Sequence, residues 1–82
     1  MDLATVEITF DFQHVPVTSS NILSAAWDSQ VLEVRFRSGP VYRYFNVPEQ
    51  VYLDLINPAI KISKGTYLKK SVEGKPYVRK DA

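Results

Sequence analysis

Fifteen residues, Ser38 to Tyr52 (SGPVYRYFNVPEQVY), constrain this chain more than any others. They hold a turn, a tyrosine-rich strand and a proline-started helix in direct succession. Gly39 can take a positive φ, so Ser38-Gly39-Pro40 reads as a hairpin turn. Val31 to Arg37 leads into it as a strand, with Leu32, Val34 and Phe36 on one face and Glu33, Arg35 and Arg37 on the other. Val41 to Phe45 returns antiparallel. A three-residue loop sets Phe36 opposite Tyr42, Val34 opposite Tyr44 and Arg35 opposite Arg43. A two-residue loop would pair Arg35 with Tyr42 and mix the faces, so the hydrophobic pattern selects the former. Tyr42 and Tyr44 then turn toward the core. Arg35 and Arg43 turn to solvent, where water, Glu33 or an anion relieves their repulsion.

The remaining elements follow from the same rules. Val6, Ile8, Phe10 and Phe12 alternate with Glu7, Thr9 and Asp11, the period of a strand with one wet face. Gln13 to Pro16 ends that strand, because proline cannot donate to the ladder. After a polar connector, Ile22 to Trp27 reads as a second strand, with a tight turn at Asp28-Ser29. Pro48 opens a helix, where its missing N–H costs nothing. Val51, Tyr52, Leu55 and Ile56 form its apolar stripe, and Asn57-Pro58 ends it. Ser63 caps a second helix over residues 63–72, with Tyr67, Leu68 and Val72 facing inward. Tyr77 to Lys80 is a short extended end. Strands followed by helices predict an α+β fold: an antiparallel sheet of three to four strands, then two short helices packed on one face.

Length allows one domain: the sequence has 82 residues. Cysteine is absent, which excludes disulfides, thiolate metal sites and cysteine nucleophiles. No run approaches the ~20 apolar residues of a membrane span, and MDLATVEITF lacks the basic and apolar regions of a signal peptide. A cytoplasmic protein with no membrane partner is the expectation. The net charge of +1 conceals an asymmetry. Residues 1–60 carry three arginines against seven acids, whereas residues 61–82 carry six lysines and Arg79 against Glu73 and Asp81. A basic end on a near-neutral chain can hold a polyanion, although lysine-rich surfaces are also common as plain solvated faces.

No group of residues reads as catalytic, and no cofactor motif is present. His14 is the single histidine, with no acid or second histidine at ligand spacing, so no metal site is expected. Glu49 and Asp54 are separated in a way that does not stack them on one helix face. Anion binding is better supplied. Ser63 opens a helix whose free N–H groups and dipole favour an anion, Lys64 and Gly65 lie in the first turn, and Lys69, Lys70 and Arg79 lie nearby. Arg35, Arg37 and Arg43 on the hairpin are candidates for phosphate contacts. The alternatives are an unliganded helix cap and solvated arginines.

Several short segments fall in a recognisable order: Ser19-Ser20-Asn21-Ile22, Trp27-Asp28, Leu32 to Phe36, Gly39 with Val41 to Tyr44, Val47-Pro48 with Val51-Tyr52 and Leu55, and Ser63-Lys64-Gly65 with Tyr67. Together they resemble the KTSC domain, a small domain named for its place at the C-terminus of some lysyl-tRNA synthetases and also found free-standing in bacteria and phages. Its tyrosine–any residue–tyrosine motif corresponds to Tyr42 and Tyr44. The resemblance covers about residues 17–79 and divides the chain into an added N-terminal strand, 1–16, and a KTSC-like domain, 17–80. Trp27, where a smaller aromatic is expected, Pro40 and Ser71-Val72-Glu73 depart from the family pattern.

The synthetase context of the resemblance implies RNA as a partner. The leading expectation is therefore a small non-catalytic module that binds RNA through its basic C-terminal region. The second is a homo-oligomer that pairs through Val6 to Phe12 and encloses a small anionic nucleotide ligand. A hydrolase ranks last.

Overall fold

A computed structural model of the chain describes residues 9–81. Its elements are β1 (Val15–Pro16), β2 (Ile22–Asp28), β3 (Val31–Phe36), β4 (Val41–Phe45), α1 (Glu49–Ile56), α2 (Lys64–Val72) and β5 (Tyr77–Arg79). One sheet of five strands runs in the order β1-β2-β3-β4-β5, and every neighbouring pair is antiparallel. The α+β class and the two helices agree with expectation. The strand count does not, because the extended end at Tyr77 is a full sheet member that pairs Tyr44 with Tyr77 and Tyr42 with Arg79. The chain leaves the sheet after β4, forms both helices, and returns beside β4 as an edge.

Turns set the register. Ser29 and Gln30 form a two-residue hairpin with φ of 51° and 67°, the left-handed pair that matches strand twist. The turn therefore lies one residue later than Asp28-Ser29, and Asp28 still pairs with Val31. The second hairpin loop is Arg37-Ser38-Gly39, with Gly39 at φ 118° and its N–H donating to the Phe36 carbonyl. Its length is as expected, but it starts one residue earlier, so β3 and β4 are paired two residues away from the expected register. Glu33, not Arg35, stands opposite Arg43, and Val34, not Phe36, stands opposite Tyr42. A shift of two preserves the face of every side chain, so the tyrosines remain on the same side as Leu32 and Val34.

The core lies between that inner face and the helices. Ile22, Ala25, Leu32, Val34, Val47, Leu55 and Leu68 are its most buried members. Trp27 packs against it and donates its indole N–H to the Val47 carbonyl at 2.8 Å, tying β2 to the connector before α1. The α1 helix starts after Pro48 and lies on β2 and α2. Ser63 caps α2 by accepting the Thr66 N–H.

The N-terminal side departs from expectation where it is described. Residues 1–8 of the anticipated strand lie outside the described residues, and residues 9–14 form no strand. Val15–Pro16, expected to end a strand, instead form β1 and pair with Ala25 and Ser24. The segment before β1 crosses the outer face of the sheet. There Phe10 and Phe12 stack at 5.1 Å, and the Arg43 guanidinium lies 4.8 Å from the Phe12 ring centre.

Candidate nucleic-acid interface

The two helices cover the β2–β3 half of the inner face and leave the β4–β5 half open. Alternation along the strands places Tyr42, Tyr44 and Tyr77 together on that open part, and Phe36 at the end of β3 lies against Tyr42. The rings form a continuous row. Phe36 and Tyr42 meet edge to face at 5.8 Å, Tyr42 and Tyr44 stack at 6.2 Å, and Tyr77 lies 5.9 Å from Tyr42 and 6.1 Å from Tyr44. Tyr44 reaches the core, whereas Tyr77 is 63% exposed. The expectation that both motif tyrosines are interior is therefore correct in face but not in cover. They are half-buried and make the floor of a groove, because α2 passes to one side of them. Burial, with the nearby Tyr42 and Tyr77 hydroxyls, pushes the Tyr44 phenol above its ordinary value of 10.0, so it stays a neutral hydrogen-bonding group.

The α2 helix forms the wall. Thr66, Lys69 and Val72 face the aromatic floor along its length, and Lys70 and Lys75 extend the wall toward β5. At the other end, Asn21, Arg37 and Gly65 close the groove. Gly65 has a local reason to be glycine, since a Cβ there would lie 3.0 Å from the Asn21 amide nitrogen. Arg37 is held by its own Nε–H, which donates to the Ser19 carbonyl at 2.8 Å. Among the described residues the ion pairs are His14–Glu33, Arg43–Glu33 and Arg79–Asp81. Arg37, Lys69 and Lys70 thus face the groove with no acidic partner.

The structure separates the other sequence candidates from this groove. Lys64 is buried at 3% exposure, and its ammonium donates to the Asp54 and Asn57 carbonyls at 2.6 and 2.9 Å. It serves the C-terminal end of α1, which has no basic residue in its own last turn. Its charge is committed there and does not stand in the first turn of α2 awaiting an anion. Ser63 is likewise engaged, in the cap. Arg43 does not point freely to solvent, for it donates to Glu33 Oε2 at 2.7 Å beneath Phe10 and Phe12. Arg35 is exposed on that same outer face, beside Ser24. Arg79 stands opposite Tyr42 but is held by Asp81, whose carboxyl also accepts the Val41 N–H. Those bonds hold Asp81 well below the usual carboxylate range.

His14 is a structural residue here. It bonds Ser24 Oγ at 2.8 Å and Glu33 Oε1 at 2.7 Å. Burial pushes Glu33 upward, but the bonds from His14 and Arg43 and their charges outweigh it and leave the carboxyl below its ordinary value. Among the described residues no group of three or more histidines and acids could hold a metal ion.

Asn21, Thr66, Lys75 and Tyr77 are groove residues that the sequence reading did not select. Tyr77 and Arg79 repeat the spacing of Tyr42 and Tyr44, the one signal from which their shared face could have been found.

Similarity to known proteins agrees with this architecture. The KTSC domain model matches residues 18–77. A crystal structure of a KTSC domain protein from Yersinia pestis superposes with a TM-score of 0.71 and 30% sequence identity, covering 85% of this chain and 99% of that one. A protein of Tsukamurella paurometabola is 44% identical over 43 residues, which is 50% of this chain and 64% of that relative's length. The five-stranded sheet, its tyrosine pair and the matched span together place the chain in the KTSC domain family.

Proposed function

We propose that the chain is a non-catalytic module that binds single-stranded nucleic acid, RNA in the first instance, in the groove between the aromatic row and α2. The observation that carries this reading is the juxtaposition of half-open rings with unpaired cations. Phe36, Tyr42, Tyr44 and Tyr77 make the floor, while Arg37, Lys69 and Lys70 stand along the margins. Every base has a π-face to stack on such a floor, at about 1–3 kcal/mol per base. Phosphates meet the cations at the rim. A duplex cannot offer its base faces to the rings, so the site favours unpaired strands.

The test is binding of a labelled single-stranded oligoribonucleotide at increasing salt. Three phosphate contacts give a log–log slope of about −2 on single strands. A slope near zero, or no binding at low salt, removes the reading. The alternative of self-association through Val6 to Phe12 gains no support from the described part of that segment. Its two phenylalanines lie against Arg43 of the same chain.

A further inference from the structure

The groove is not uniform along its length. It consists of two lobes, of about 670 and 860 Å³, which share only Tyr44, Thr66, Lys69 and Val72. Each lobe is of a size that suits a small ligand. Each also has rings and cations of its own: Phe36 and Arg37 in the first, Tyr42, Tyr77, Lys70 and Lys75 in the second. Glu73 also lines the second lobe, where Lys70 and Lys75 outnumber it. At the waist the one charged side chain is Lys69, and the Thr66 hydroxyl lies one helical turn before it.

We infer that the groove holds one dinucleotide step, with a base in each lobe and the linking phosphodiester on Lys69. This rests on the nucleic-acid reading above and assigns its register. Two neighbouring stacking surfaces separated by one cation match the order base, phosphate, base. A single nucleoside would fill half the groove and leave Lys69 without its anion. A longer strand would run out at both ends, past Arg37 on one side and Lys75 on the other. Asn21 in the first lobe presents an amide donor and an acceptor to a base edge, as a side chain that reads an unpaired base must.

The experiment is a titration of the isotope-labelled protein with uridine, the dinucleoside monophosphate UpU, and oligouridylates up to the octanucleotide, followed by amide chemical shifts. Oligouridylates serve because they have little structure of their own. Affinity should rise about tenfold or more from uridine to UpU, as a second stacked base is added, and then level off, changing by less than about tenfold in total from UpU to the octanucleotide. Lys69→Gln should abolish most of the step, so that this protein binds UpU little more tightly than it binds uridine. A steady climb in affinity through the octanucleotide overturns the dinucleotide assignment while leaving nucleic-acid binding in place. A full step to UpU in the Lys69→Gln protein overturns the placement of the phosphodiester. If no member of the series binds, the nucleic-acid reading fails with it.

Discussion

Glu33 and Arg43 face one another across adjacent strands, with Arg43 Nε 2.7 Å from Glu33 Oε2. That pair marks the register of the central hairpin and consumes two charges that would otherwise be open to partners. It also anchors the N-terminal segment, because His14 bonds the second Glu33 oxygen and Phe10 and Phe12 cover the guanidinium. The outer face around Arg43 is thus occupied by the chain itself, leaving Arg35 exposed there, whereas Arg37, Lys69 and Lys70 line the groove on the other side of the sheet.

Glu33 should therefore make stability depend on pH. Its folded pKa is depressed below 4.5, so its contribution is fully present above that value and is lost as pH falls through the lower folded value. Glu33→Gln should lower stability at neutral pH by about 1–3 kcal/mol. The gap between wild type and variant should shrink as the pH falls below 4.5 and the carboxylate takes up its proton. Denaturant unfolding at several pH values measures this gap, and a constant difference would contradict the assignment.

Lys64 gives a second stability prediction. Its ammonium satisfies two carbonyls at the end of α1 from a buried position. Lys64→Met keeps most of the aliphatic stem but orphans those carbonyls, at a cost of about 1–3 kcal/mol. The melting temperature should fall by about 4–8 °C for each kcal/mol in a domain of this size. An unchanged melting temperature would show that water replaces the ammonium without loss.

Gly65 separates stability from binding. Alanine gains up to about 1 kcal/mol in helix propensity. Its Cβ would press on the exposed Asn21 amide, which can rotate away. Gly65→Ala should therefore melt at or above the wild-type temperature and bind oligouridylate about fivefold more weakly, the worth of one hydrogen bond. Thermal melts paired with binding isotherms check both halves.

The limits of the sequence are physical ones. Both helices were legible because Pro48, Asn57-Pro58 and Ser63 are local signals that need no knowledge of the rest of the fold. The hairpin faces were legible for the same reason, but the register was not. Moving the loop from 38–40 to 37–39 slides the strands by two residues and leaves the apolar pattern intact, so what separates the two is the positive φ of Gly39 at the end of the loop and the exchange of an Arg35–Arg43 apposition for the Glu33–Arg43 pair. The strand at Tyr77–Arg79 is exposed at all three positions and gives no burial pattern to read. Alternation at Phe10 and Phe12 reflects packing of an extended segment on Arg43 rather than a ladder. Basic residues at 64, 69 and 70 look alike in sequence, whereas the fold buries the first and exposes the others along the groove. The candidate site emerged only when β5 and α2 were placed on either side of Tyr44.

The most direct test is chemical-shift mapping of the labelled protein with a short oligouridylate at low salt. The account predicts the largest shifts at Asn21, Tyr44, Thr66, Lys69 and Tyr77, with little change at Arg35, Arg43 and Val78 on the opposite face. Shifts concentrated on Arg35 and Arg43, or none at any ratio of oligonucleotide, would contradict it.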